Sequence, residues 1–269
     1  MSDNGKLIIH GLSDVGLVRG HNEDKIAWDE NLGLVLLADG MGGHNAGEVA
    51  SELAVNCIID SLRRVLIPGI DKVVDRPAAV KEAIQHSNNE IVQVALERQE
   101  CAGMGTTIVL SLFYNNNNSV IFAHVGDSRI YRYRNAELVQ MTTDHSLVQE
   151  MVDNGYISEE EALTSASRNL ITRALGIADT VDVDIVESDC QIDDLYLLCS
   201  DGLTDLVTDE EIMVILEQHS HEDGYSVSAL ESIATSLVSS ANEKGGKDNV
   251  STVLVTKAEA FSDMQGIDE

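Results

Sequence analysis

Basic residues are scarce in this chain of 269 residues: 17 Lys and Arg stand against 46 Asp and Glu, a formal net charge of −29. A field of that sign repels nucleic-acid backbones and anionic membrane surfaces, so neither is an expected partner. Proline occurs twice, at Pro68 and Pro77, and no Pro/Gly/Ser-rich linker divides the chain. A single domain over residues 1–257 is therefore expected, with an acidic, disordered tail at 258–269. Aromatics make up 4% of residues, so the core must be built from Leu, Ile, Val and Ala, within an ordinary apolar content of 43%. The four cysteines, Cys57, Cys101, Cys190 and Cys199, match no zinc spacing and are expected to be reduced thiols. Residues 1–6 are polar and lack a signal-peptide apolar region, and no apolar run approaches membrane-spanning length. A cytoplasmic protein is expected.

Apolar periodicity supplies the outline. Leu7 to Val15 looks like a first strand, and residues 25–28 and 33–38 like a hairpin turning at Asp29-Glu30-Asn31. The run Leu34-Val35-Leu36-Leu37-Ala38 is apolar on both faces, which marks a central strand covered on both sides. Helical spacing follows over 47–65 and over 77–98, the latter with Pro77 in its first turn. A meander of strands is expected over 106–114, 119–125, 129–134 and 137–141, then strands at 181–187 and 195–199. Helices at 209–218 and 227–243 and a strand at 250–256 complete the chain. Thr208 followed by Glu211 is a capping-box signal for the first of those helices. Two helices, many antiparallel strands, then two more helices suggest an α+β fold: a central antiparallel β-sandwich with helix pairs on both faces. A mostly helical insertion, about 144–176, interrupts the strands.

Asp39-Gly40 ends a fully apolar strand, and Asp201-Gly202 ends a second, Leu195 to Cys199. One Asp-Gly after a strand is usually only a turn. Two of them, with Asp24 and Asp248 also beside strands, can bring carboxylates together at one edge. Like charges so placed repel unless a cation holds them. Oxygen ligands select hard cations, Mg²⁺ or Mn²⁺, rather than zinc.

The motifs Ser13-Asp14-Val15-Gly16-Leu17-Val18-Arg19-Gly20-His21-Asn22-Glu23-Asp24 and Ala38-Asp39-Gly40-Met41-Gly42-Gly43-His44 resemble the first two of the bacterial protein phosphatase 2C enzymes. Gly105-Thr106-Thr107, Val125-Gly126-Asp127-Ser128-Arg129, Thr143-Asp144-His145-Ser146, Cys199-Ser200-Asp201-Gly202-Leu203 and Lys247-Asp248-Asn249 follow in that family's order. Each motif is weak alone; their shared order across residues 7–256 is specific. The resemblance implies a metal-dependent Ser/Thr protein phosphatase. In it Asp39 bridges two cations, Mn²⁺ or Mg²⁺, with the Gly40 carbonyl on one and Asp201 and Asp248 completing the other. Glu23, Asp24 and Asn249 stand in the outer shell. Asp127 shares a third, weaker cation with Asp201. Arg19 grips the substrate phosphate, a water between the metals attacks phosphorus in line, and His44 protonates the departing oxygen. Phosphorylated proteins are the implied substrates, a Ser/Thr kinase the implied counterpart, and a monomer the expected state.

Each residue also has a plainer reading: Arg19 a surface arginine, His44 a loop histidine, Asp127 a hairpin-turn residue. Ser165-Ala166 stands where many bacterial members carry His-Pro, so no histidine stands at that position of the insertion. The alternatives are a phosphatase of small phosphomonoesters, a catalytically silent partner-binding protein, and an acidic calcium binder. No loop has the EF-hand spacing that the last would need.

Overall fold

A computed structural model describes residues 6–43, 46–66, 74–114, 118–163, 165, 167, 169–219 and 224–257. The strands are β1 (Leu7–Asp14), β2 (Asp24–Asp29), β3 (Leu34–Met41), β4 (Gly105–Thr106), β5 (Ile108–Tyr114), β6 (Ser119–Val125), β7 (Arg129–Arg134), β8 (Glu137–Gln140), β9 (Asp184–Asp189), β10 (Leu195–Cys199) and β11 (Val250–Lys257). The helices are α1 (Ala46–Val65), α2 (Arg76–Glu97), α3 (Leu147–Asp153), α4 (Glu159–Leu163), α5 (Asp201–Thr204), α6 (Asp209–Gln218) and α7 (Val227–Glu243).

Two antiparallel sheets result. One runs β1-β11-β10-β7-β8; the other runs β2-β3-β5-β6-β9, with β4 paired to β3. Three apolar layers follow from that stacking. Val35, Leu37, Val109, Phe122, Tyr196, Leu198 and Val253 fill the space between the sheets. Leu34, Leu36, Leu110 and Ile121 face the other way, against Ala54, Ile58, Leu62 and Ile84 of α1 and α2. On the opposite outer face, Leu197 and Leu254 meet Ile212, Leu216, Ile233 and Leu237 of α6 and α7. The alternation along β3 explains why that strand reads as a continuous apolar run: both of its faces are covered.

Local chemistry sets the helix ends. Asp75 caps α2 by accepting from Ala78 N, with Pro77 in the first turn. The capping box expected at Thr208 and Glu211 is present in both directions. Ser226 caps α7 by accepting from Ala229 N. The four cysteines are free thiols; Cys101, Cys190 and Cys199 are buried. No helix among the described residues is long and apolar enough to cross a membrane.

Two elements depart from expectation. The ninth strand spans Asp184–Asp189 rather than 181–187. Its register is set by β6, with His124 opposite Asp184 and Ser119 opposite Asp189, while Val181 N donates instead to the Gln85 side chain. The insertion is less helical than expected: α3 and α4 are 7 and 5 residues long. Turns and two isolated bridges, Ser146 to Ile171 and Thr106 to Leu175, account for much of its remaining shape. Residues 258–269, Ala166 and Arg168 lie outside the described residues.

Candidate metal centre

Antiparallel pairing gathers the acidic residues. Asp24 opens β2 and sits directly opposite Asp39, near the end of β3. In the other sheet, β10 ends where β11 begins, which brings Asp201 and Asp248 to the same edge. Asp127 lies in the connection from β6 to β7. The backbone around Asp39 is fixed closely: its N–H donates to Thr107 Oγ1 (3.0 Å), and Thr107 N donates to its carbonyl (2.8 Å). Thr107 Oγ1 in turn lies 2.8 Å from Ser128 Oγ, which joins the Asp39 strand to the Asp127 turn. Asn249 acts as a pin. Its Oδ1 accepts from Glu23 N (2.8 Å), while its Nδ2 donates to Val15 O (2.9 Å) and His21 O (3.0 Å). Gly40 is needed by close approach, because a Cβ there would stand 2.1 Å from Gly47 O.

The electrostatics are those of a crowd of like charges. Burial raises the Asp39 carboxyl well above its ordinary value, and Asp24, Asp201, Asp127 and Asp248 each push it further. Asp201 is raised in the same way by burial, then by Asp127, Asp205, Asp248 and Asp24. Asp24 is pushed up to about 6 by burial and by Asp248, against hydrogen bonds from Ser251 and Ser200 that favour its charged form. Asp127 is also pushed up to about 6, by burial and then Asp144 and Asp205. Arg19 contributes one positive charge: its Nη2 lies 2.6 Å from Asp248 Oδ2. Among the described residues, Asp24 Oδ1 and Asp201 Oδ1 are buried without a hydrogen-bond partner, while Glu23 Oε1 lies 3.4 Å from His21 Nε2. Buried, unpaired carboxylate oxygens inside a negative cluster carry a desolvation cost that a divalent cation removes. The donors are carboxylate and carbonyl oxygens, which fit Mg²⁺ or Mn²⁺. His44 lies outside the described residues.

The family model for protein phosphatase 2C matches residues 19–254. The chain belongs to the protein phosphatase 2C family. It is 38% identical over 248 residues to the serine/threonine phosphatase stp of Listeria monocytogenes, covering 91% of this chain and 94% of that protein. The structure of the Mycobacterium tuberculosis serine/threonine phosphatase PstP/Ppp superposes with a TM-score of 0.81 at 37% identity, over 94% of this chain and 99% of that one. The PstP catalytic domain in complex with 2 manganese ions superposes with a TM-score of 0.79 at 36% identity, over 94% and 99% of the two chains.

The family motifs do not give the role of every residue at this edge. Ser200 Oγ donates to Asp24 Oδ2 (2.9 Å) and accepts from Ser251 N (3.0 Å), so it orients a carboxylate from behind. Asp205 adds its charge to both Asp127 and Asp201. It lies four residues after Asp201, the spacing of one helical face, and that signal was available in the sequence. Asn169 Nδ2 donates to Asp205 Oδ2 (2.9 Å), which ties the insertion to the acidic edge.

A second cluster, His124, His145 and Asp184, places its ligand atoms within 4.8 Å of one another. Its chemistry opposes a metal. His145 Nδ1 accepts from Gly126 N (3.1 Å), so that ring nitrogen is already occupied, and Nε2 lies 3.4 Å from Asp184 Oδ2. Arg173 Nη1 already stands 3.0 Å from Asp184 Oδ1 and 3.2 Å from His145 Nε2. Burial lowers both imidazoles, His145 to about 4, so the stacked pair is neutral near pH 7. The cluster clasps the two ends of the insertion to β6 and β9.

Proposed function

We propose that the chain hydrolyses phosphoserine and phosphothreonine esters in proteins, opposing a Ser/Thr kinase. The observation that carries this reading is the convergence of Asp24, Asp39, Asp127, Asp201 and Asp248, with orphaned carboxylate oxygens among them. The relatives named serine/threonine phosphatases support it at 38% identity across 91% of the chain.

Asp39, the Gly40 carbonyl, Asp201 and Asp248 would hold two divalent cations, and Asp127 with Asp201 a third. When bound, such cations lower the pKa of water and neutralise phosphate charge. The protein's own contributions are separable. Glu23 and Asp24 would present acceptors to water on such cations; Asn249 holds the Glu23 backbone and Ser200 holds the Asp24 carboxylate. Arg19 offers a two-pronged guanidinium to the phosphate oxygens from a half-exposed position beside Asp248. His44 supplies a proton to the departing serine or threonine oxygen. The insertion over 144–176 borders the acidic edge through Asn169 and offers a surface to a protein substrate.

Hydrolysis of phosphothreonine and phosphotyrosine peptides, each with Mn²⁺ and with chelator, tests this. Turnover of the phosphothreonine peptide that requires added metal is expected. Metal-independent turnover, or a preference for phosphotyrosine, contradicts the proposal.

A further inference from the structure

The connection from β1 to β2 carries Leu17 and Val18 immediately before Arg19, and both side chains are 68% exposed. The backbone beneath them is anchored firmly. Leu17 N donates to Gly246 O (2.8 Å). Gly16 N donates to Asp14 Oδ1 (2.8 Å), and Asn242 Nδ2 donates to the same oxygen (3.1 Å). Asn249 Nδ2 holds the carbonyls of Val15 and His21, on either side of the exposed pair. Gly16 has a φ of +77°, and a Cβ there would stand 2.2 Å from Asp248 O. The segment is a strap whose ends are pinned by the residue that follows Asp248. Its two aliphatic side chains are held out in water.

An ordered backbone that displays adjacent apolar side chains next to a charged group has the make-up of a recognition surface. We propose that Leu17 and Val18 read an aliphatic side chain one or two positions from the phosphorylated residue of a protein substrate. This rests on the phosphatase reading above. The length scale fits: residues one and two positions from Arg19 lie within about 7 Å of it along the strap. A phosphate held by Arg19 brings the neighbouring side chains of its own chain into the same span. Charge selects among occupants. A second copy of this chain, at −29, is repelled, and so is an anionic membrane. A phosphopeptide with an aliphatic neighbour and no further acidic residues meets the apolar pair, and it carries against the field only the phosphate that Arg19 offsets.

The test compares two phosphothreonine peptides, identical but for leucine or serine on each side of the phosphothreonine, with Mn²⁺ present. For the parent protein the leucine peptide is expected to have roughly tenfold higher kcat/KM, residing in KM, which is the scale of covering part of two exposed aliphatic side chains. The Leu17→Ser, Val18→Ser double variant is expected to bring the ratio close to one. Leu17→Ile is expected to retain it. Leu96→Ser, at a 79% exposed leucine of α2, serves as the control for loss of any surface leucine and is expected to keep the preference. Mn²⁺ binding and the thermal midpoint of the double variant confirm that it is folded. Equal rates on both peptides for the parent, or an unchanged ratio in the double variant, overturn the inference while leaving the phosphatase reading intact. Hydrolysis of neither peptide by Mn²⁺-loaded parent protein overturns the phosphatase reading itself.

Discussion

Replacing Asp24 by asparagine should stabilise the metal-free protein. In the fold its carboxyl is pushed from 3.8 up to about 6 by burial and by the Asp248 charge. An acid whose folded pKa is raised holds its proton more tightly in the native state. Its contribution to stability is therefore best at low pH and is lost as pH rises from about 4 through about 6. Above that window the ionised group costs about 3 kcal/mol. The amide keeps an acceptor for Ser200 Oγ, now 2.9 Å from Asp24 Oδ2, and offers N–H groups to the neighbouring Asp39. Allowing for weaker hydrogen bonds to a neutral group, a net gain of about 2 kcal/mol remains, or roughly 5 °C in Tm for a chain of this size. Thermal unfolding at pH 7.5 in chelator measures it, and a repeat at pH 5 should show a smaller gain. Saturating Mn²⁺ should favour the parent, because a cation at a hundred times its Kd contributes about 3 kcal/mol and needs the negative field. A Tm in chelator equal to or below the parent's would mean that the Asp24 charge is not destabilising in the metal-free fold.

Arg19→Ala is expected to raise KM for a phosphopeptide by roughly tenfold, with a smaller change in kcat. Because Arg19 now pairs with Asp248 (2.6 Å), Mn²⁺ affinity should hold or tighten, and calorimetry showing that Mn²⁺ no longer binds would contradict its role as phosphate grip. His44→Ala should slow a phosphothreonine peptide by about a hundredfold and nitrophenyl phosphate far less, since nitrophenolate leaves without a proton. Equal losses on the two substrates would remove it as the acid. Asp127→Ala should keep two bound Mn²⁺ and lose roughly a hundredfold in turnover. Parent-like rates would make Asp127 a turn residue only.

The layers of the fold were legible because burial leaves a direct mark on residue type. Leu34 to Ala38 are fully buried, as a run that is apolar on both faces requires. The Thr208–Glu211 box likewise announces the start of α6 from local chemistry alone. The acidic edge was legible only as punctuation, since Asp-Gly after an apolar strand says where a carboxylate could be and not what it meets. Facing Asp24 with Asp39 takes the β2–β3 register, and joining Arg19 to Asp248 spans 229 residues of sequence. Ser200 was hidden because a hydroxyl's role depends on the carboxylate behind which it lies. The last strand before β10 was misplaced because its limits are dictated by pairing with β6, not by its own apolar pattern.

The role proposed for Asp39 is to organise the cations that make this edge hydrolytic. It is tested most directly by Asp39→Asn, measured for Mn²⁺ stoichiometry by calorimetry and for phosphothreonine-peptide turnover on the same preparation. The parent is expected to bind at least two Mn²⁺ per chain and to turn over only when they are present. The variant is expected to lose that binding and at least a thousandfold in rate, the scale of removing a metal's contribution to the transition state. A variant that binds Mn²⁺ as the parent does and still hydrolyses the peptide would contradict that role.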